Sequence, residues 1–244
     1  MIKINNLTKK YKDKLAVDNL NLEIKTGELF SLLGTNGAGK TTTIKMLSTL
    51  ILPTSGEVEI NNLDLVKDSS KIKEIINISP QETAVASNLT VLENLYFMAG
   101  IYQIPNKEDK IKELIKLFKL EEVLKQKAKT LSGGYQRKLS IAISLINNPK
   151  ILFLDEPTLG LDVISRHDLW KVIEALKVKT TIILTTHYME EAEVLSDRIG
   201  IMNKGKLIEL GTSKELIKKA KTKNFEDAFI KIIEEDNNEN TNIC

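Results

Sequence analysis

Residues Leu29-Phe30-Ser31-Leu32-Leu33-Gly34-Thr35-Asn36-Gly37-Ala38-Gly39-Lys40-Thr41 decide the reading of this chain. Leu29 to Leu33 is a short apolar run bounded by Gly27 and Gly34, the pattern of a buried strand. A helical pattern runs from Lys40 to Leu52 and stops at Pro53. Between them lies G-x-x-x-x-G-K-T, from Gly34 to Thr41. Its glycines let the backbone curl so that N–H groups along Gly34, Thr35, Asn36, Gly37, Ala38, Gly39 and on to Thr42 point inward at phosphate oxygens, and the helix start adds its positive dipole end. Lys40 then reaches the β- and γ-phosphates as a point charge, and Thr41 offers its hydroxyl to Mg²⁺. The ligands this stretch predicts are ATP and Mg²⁺.

Two more apolar runs, Ile151 to Leu154 and Thr181 to Leu184, enclose a helical pattern from Asp168 to Lys177 and read as buried parallel strands. Asp155-Glu156 ends the first run, at the sheet edge where open α/β folds bind ligands. Asp155 is expected to hold Mg²⁺, directly or through water, and Glu156 to face the attacking water as base or orienter. Neighbouring strand residues point to opposite sides, which lets the two acids do different jobs. His187 follows the second run after Thr185-Thr186 and can reach the γ-phosphate. A further motif, Leu131-Ser132-Gly133-Gly134-Tyr135-Gln136-Arg137, precedes the apolar helical stretch Leu139 to Ile146. Ser132 reads as that helix's N-cap, and the two glycines bare its first N–H groups. That is a second anion cradle in a chain that already has one.

The rest supplies the frame. Ile2 to Ile24 reads as short strands with turn residues between them, and Val58-Glu59-Ile60 as an edge strand before the Asn61-Asn62 turn. Leu89 to Ala99 and Lys107 to Lys127 carry helical periodicity and are separated by Pro105, which predicts a helical insertion in an α/β framework. Ile199 to Met202 and Leu207 to Leu210 flank Lys204-Gly205 and predict a hairpin. The polar stretch Asp236 to Cys244 predicts a disordered tail. A net charge of +2 gives no electrostatic case for a nucleic-acid partner, and none is expected. The single cysteine, Cys244, cannot form an intramolecular disulfide, which fits a reducing cytoplasm. The start has no apolar stretch of signal-peptide length, and the longest apolar runs are far too short to span a bilayer. Any membrane role must therefore use a partner that spans it.

Leu131 to Arg137 resembles the signature of the ATP-binding-cassette ATPases, and the other motifs fall in that family's order from about Ile2 to Thr212. The resemblance implies an α/β fold: a P-loop NTPase with a RecA-like core, an N-terminal antiparallel β subdomain and a helical, signature-bearing subdomain near residues 84–135. One nucleotide-binding domain would cover residues 1–235. Gln81 matches the glutamine loop, which touches the Mg²⁺ and water shell, and Asp162 matches the D-loop. His187 matches the switch histidine, and Tyr11 matches the aromatic that stacks on adenine, with Val17 beside it. The implied catalytic set is Glu156, His187 and Gln81, and the implied metal set is Thr41, Gln81 and Asp155. The family also implies a head-to-tail dimer in which ATP lies between one subunit's phosphate loop and Ser132-Gly133-Gly134 of the other, which explains the second cradle. Implied partners are integral-membrane permease subunits and a second nucleotide-binding subunit, self or sister. They would place the chain at the cytoplasmic, inner face of the cell membrane. Glu190 to Arg198 and Gly205 to Leu216 look like single-domain subunits of bacterial exporters, of the drug-resistance or ABC-2 type, so the implied activity is ATP hydrolysis that powers export. The alternative is a family ATPase that serves a cytoplasmic assembly without a membrane partner. Thr35 and Val163 stand where relatives often have proline, which changes backbone stiffness and removes no chemical group.

Overall fold

A computed structural model describes residues 1–177 and 179–241. Strands β1 (Ile2–Tyr11) and β2 (Lys14–Ile24) pair antiparallel, and β3 (Leu29–Gly34) then feeds helix α1 (Lys40–Leu47). Strands β4 (Ser55–Ile60) and β5 (Leu63–Asp64) complete an antiparallel sheet of order β2-β1-β4-β5. Helix α2 (Ser69–Ile75) leads to β6 (Ile76–Ser79), and three helices follow: α3 (Val91–Ile101), α4 (Lys107–Phe118) and α5 (Gly133–Ser144). The chain continues through β7 (Ile151–Asp155), α6 (Val163–Leu176), β8 (Thr181–Thr186), α7 (Met189–Leu195), β9 (Arg198–Asn203) and β10 (Lys206–Gly211). Helices α8 (Ser213–Ala220) and α9 (Phe225–Thr241) end it. The second sheet has order β10-β9-β3-β8-β7-β6 and is parallel except for the β9–β10 hairpin.

The apolar runs of β7 and β8 are unbroken because both faces of their sheet are covered. Ile151, Phe153 and Ile183 join a core with Ile2, Ile4 and Ile60 of the antiparallel sheet and Ile44 and Leu47 of α1. Leu152, Leu154, Ile182 and Leu184 join the opposite core, with Leu95, Leu114, Phe118 and Leu139 of the three helices and Trp170 of α6. Each fully buried side chain of this size contributes about 1.5–3 kcal/mol of transfer free energy. The strand ends that carry Asp155 and His187 are thus anchored from both sides.

Several elements differ from the sequence reading. Ile2 to Ile24 forms two long strands, because the turn-like asparagines sit in irregularities within them: the β1–β2 register shifts at three places, and Asn6 and Asn19 have φ of 50° and 54°. Helix α1 ends at Leu47, short of Pro53; Thr49 turns left-handed at φ 61° and the N–H groups of Leu50 and Ile51 fold back onto the Lys45 carbonyl. The Lys107–Lys127 pattern stops at Phe118, where Lys119 takes a left-handed conformation at the C-cap. Helix α6 begins at Val163, five residues before the expected Asp168, because the Asp162 side chain caps it by accepting from Ser165 N–H. Residues 236–241, read as disordered, continue α9, and Asn203 Nδ2 donates to Asp236 Oδ2 at 2.7 Å and Asn237 Oδ1 at 3.2 Å. Residues 242–244 lie outside the described residues.

Candidate functional site

The phosphate loop is built by steric necessity at two of its glycines. A Cβ on Gly34 would stand 2.3 Å from the Met202 carbonyl oxygen of β9. Gly39 has φ 103°, and a Cβ there would stand 2.5 Å from the Ala16 carbonyl oxygen of β2. Gly39 is also the N-cap of α1 and brings no side chain to cover the first-turn N–H groups, so these remain available to an anion. The loop therefore sits wedged between β2 and β9 with its helix end open.

Lys40 is 5% exposed, and its Nζ donates to the carbonyls of Gly34 (2.7 Å) and Thr35 (3.2 Å). The same Nζ lies 3.4 Å from Glu156 Oε1, while Glu156 Oε2 meets His187 Nδ1 at 2.7 Å. Lysine, glutamate and histidine thus form one continuous chain of contacts. Glu156 is a non-glycine residue at φ 50°, held there by its N–H donating to the carbonyl (3.1 Å) and hydroxyl (3.1 Å) of Thr185. Left-handed backbone at such a residue costs about 1–3 kcal/mol and persists only where surroundings enforce it. This turn past the end of β7, rather than strand alternation, points the two acids apart. Asp155 Oδ1 accepts from Thr41 Oγ1 (2.9 Å) and Thr185 Oγ1 (2.6 Å).

These groups surround an open cavity of about 460 Å³, within the usual size range of small-molecule sites. Its walls are Asn36, Gly37, Ala38, Gly39, Lys40, Thr41 and Thr42 of the loop, together with Gln81, Glu156, Leu159 and His187, and Lys14 and Ala16 of β2. Among the described residues no group of three or more His, Cys, Asp and Glu is placed to hold a metal. The hydroxyl of Thr41 and the carboxylate of Asp155 form a two-residue oxygen pair instead. That suits Mg²⁺, which takes one or two protein oxygens and completes its shell with phosphate and water.

Not all expected residues join this cavity. Val17 is fully buried in the core, and Ala16 takes the cavity-facing position. The left-handed bulge at Asn19 hides the alternation of β2 that would have revealed this. Tyr11 stands 46% exposed at the end of β1, with Lys9 Nζ 5.1 Å from its ring centroid. Ser132, Gly133, Gly134 and Asp162 form a separate cluster away from the walls of the cavity. Ser132 caps α5 by accepting from Tyr135 N–H (3.4 Å), and a Cβ on Gly134 would stand 3.0 Å from Ser165 Oγ. Ser165 in turn donates both its N–H (2.9 Å) and its hydroxyl (2.6 Å) to Asp162. These two bonds, the hydroxyl's foremost, hold the Asp162 carboxyl below the ordinary carboxylate range.

Sequence reasoning missed Arg137. The residue is 4% exposed, and its guanidinium forks onto the carbonyls of Pro80 (2.7 Å) and Gln81 (2.6 Å), so the signature helix grips the backbone of the glutamine loop. Burial lowers its pKa, and the carboxylates of Asp155, Glu191 and Glu156 act in the opposite sense. Its place next to the signature was visible, but its burial carried no sequence signal.

Residues 17–159 match the family described as "ABC transporter". The chain is 43% identical over 218 residues to human "Phospholipid-transporting ATPase ABCA3", covering 87% of this chain and 13% of that protein. It is 39% identical over 252 residues to the "Probable multidrug ABC transporter ATP-binding protein YbhF" of Escherichia coli (strain K12), covering 99% and 43%. It is 40% identical over 219 residues to the "Linearmycin resistance ATP-binding protein LnrL" of Bacillus subtilis (strain 168), covering 88% and 70%. The chain thus spans less than half the length of the first two relatives. Among solved structures it resembles an ATP binding subunit of an ABC transporter, with a TM-score of 0.85, 26% identity and 95% and 99% of the two chains covered. It also resembles the dimeric post-hydrolysis state of the ATP-binding cassette MJ0796 bound to ADP and Pi, with a TM-score of 0.79, 31% identity and 87% and 98% covered. In fold, motif order and relatives alike, this chain belongs to the ABC transporter family, as one of its P-loop ATP-binding cassettes.

Proposed function

We propose that this chain is the ATP-binding and ATP-hydrolysing subunit of an exporter, driven by head-to-tail pairing with a second cassette. The observation that carries the reading is the unbroken contact chain from Lys40 through Glu156 to His187, within the cavity that holds the phosphate loop. The loop N–H groups and Lys40 bind the phosphates, and Ala16 receives the base, with Tyr11 reaching it from its place opposite the cavity-lining Lys14. Thr41 and Asp155, with Gln81 nearby, are the residues that would hold Mg²⁺, whose charge neutralises the phosphate oxygens. Glu156 accepts the proton of the attacking water or orients it, and His187 steadies the terminal phosphate.

The second half of the site comes from another chain. Gly133 has ordinary backbone, and a Cβ there would meet nothing within 4 Å. Nothing among the described residues requires a glycine at that position, which supports a ligand or partner backbone approaching it from outside. Val163 and Ile164, beside Asp162, are 60% and 77% exposed and give that face apolar surface to cover. The exporter role rests on the relatives whose names carry multidrug and linearmycin resistance. No described helix is long and apolar enough to cross a membrane. In this reading integral-membrane permease subunits supply the path and hold the cassette at the cytoplasmic face.

The test is phosphate release and ATP binding on the purified chain. Lys40→Ala loses ATP binding. Glu156→Gln keeps binding but loses turnover by at least about a hundredfold, the scale of a general base. Undiminished binding in the first, or wild-type turnover in the second, contradicts the assignment.

A further inference from the structure

Helix α7 starts two residues after His187 and carries Glu191 into the interior, where it has no exposure. Glu191 Oε1 accepts two hydrogen bonds, from Thr158 Oγ1 at 2.8 Å and Trp170 Nε1 at 3.0 Å. The Thr186 hydroxyl at the end of β8 is a further donor toward this carboxyl, and Oε2 has no hydrogen bond of full geometry among the described residues. The three residues belong to three segments of the proposed site. Thr158 lies two residues past Glu156. Trp170 lies in α6, eight residues and about 12 Å along the helix from its cap, Asp162. Glu191 lies four residues past His187. None of the three lines the cavity.

A carboxyl buried this completely carries a desolvation cost that an apolar side chain filling the same space would avoid. The two donors on Oε1 say what the group does there: it fastens the segments behind three functional side chains to one another. Burial pushes the Glu191 carboxyl above the ordinary carboxylate range, the nearby Glu156 acts in the same sense, and the donors Thr186, Thr158 and Trp170 act against both.

We propose that Glu191 is a positioning residue for ATP hydrolysis, fixing the turn after Glu156, the helix behind Asp162 and the helix after His187 as one unit. His187 then cannot shift toward a terminal phosphate without moving the Asp162 turn, so occupancy of one site is passed to the face that meets the second chain. The proposal rests on the ATPase reading above, in which His187 senses phosphate and Asp162 faces a partner.

Trp170 is the single tryptophan of the sequence, so its emission reports on this junction. Steady-state ATPase kinetics and Trp170 emission with and without ATP are measured on the full chain, for the wild type, Glu191→Ala, Glu191→Gln and Thr158→Val. Glu191→Ala is expected to lower kcat roughly ten- to a hundredfold, with KM for ATP within about twofold of wild type, as for a misplaced catalytic group. ATP should no longer change its Trp170 emission. Glu191→Gln keeps an acceptor oxygen and should recover most of kcat and of the emission response. Thr158→Val, which removes one donor, should lower kcat in the same direction. A folded Glu191→Ala chain with wild-type kcat, or with a loss confined to KM, overturns the proposal, as does Glu191→Gln that performs no better than Glu191→Ala. Should Glu191→Ala not fold, Thr158→Val decides, and an unchanged kcat overturns the proposal. A wild-type chain without ATPase activity overturns the ATPase reading and this proposal together, an outcome distinct from an active wild type with silent variants.

Discussion

At the scale of single residues, the grouping of side chains at the phosphate loop was legible wherever a motif fixes both residue type and position. Lys40, Thr41, Asp155, Glu156 and His187 could be singled out because apolar runs lead into each group. How they point could not be read, since the left-handed turn at Glu156 and the bulge in β2 are set by contacts between distant segments. The same holds for Glu191, which the sequence presents as one more acid of a charged helix and the fold buries completely. Its raised carboxyl makes a pH prediction. A group that holds its proton more tightly folded than unfolded stabilises the fold fully below its unfolded pKa, and that stability is lost as pH rises through the folded pKa. Glu191→Gln removes the dependence. It should melt above wild type at pH 8, and the gap should close as pH falls toward the ordinary glutamate value of 4.5. A gap that is constant or widens in acid contradicts the raised carboxyl.

At the scale of elements, strand and helix types were legible from period and length, and boundaries were not. The Lys204-Gly205 hairpin was readable because its turn needs left-handed backbone, and both residues have it, with φ of 47° and 86°. The end of α1 was missed because a fold-back onto Lys45, not Pro53, stops it. The junction of the two sheets had no sequence signature. There Arg198, at the start of β9, forks onto Glu28 at 2.6 and 3.1 Å and donates to the Glu23 carbonyl of β2 at 2.6 Å. Glu28 is 7% exposed, so removing its partner strands a largely buried charge. Arg198→Ala should therefore cost roughly 2 kcal/mol, the scale of lost hydrogen bonds to a charged group. Urea unfolding measures it, and an unchanged midpoint contradicts the stapling role.

At the scale of the whole molecule, the two motifs proposed to cradle anions stay apart within one chain. The phosphate loop lines the cavity, and Ser132-Gly133-Gly134 sits against Ser165 and Asp162 elsewhere. The sequence reads as two cradles, and only family resemblance joined them across a dimer. Donors supplied by an opposing subunit, acting as an arginine finger does, are worth about 10³–10⁵ in rate, or roughly 4–7 kcal/mol. A lone chain should therefore turn over slowly. The mass of Glu156→Gln in solution, measured by light scattering with and without ATP, tests the shared site most directly. Twice the chain mass with ATP, the chain mass without it, and no ATP-driven shift once Ser132→Arg is added is the predicted result. A Glu156→Gln chain that stays at the mass of one chain at saturating ATP and high concentration contradicts the account.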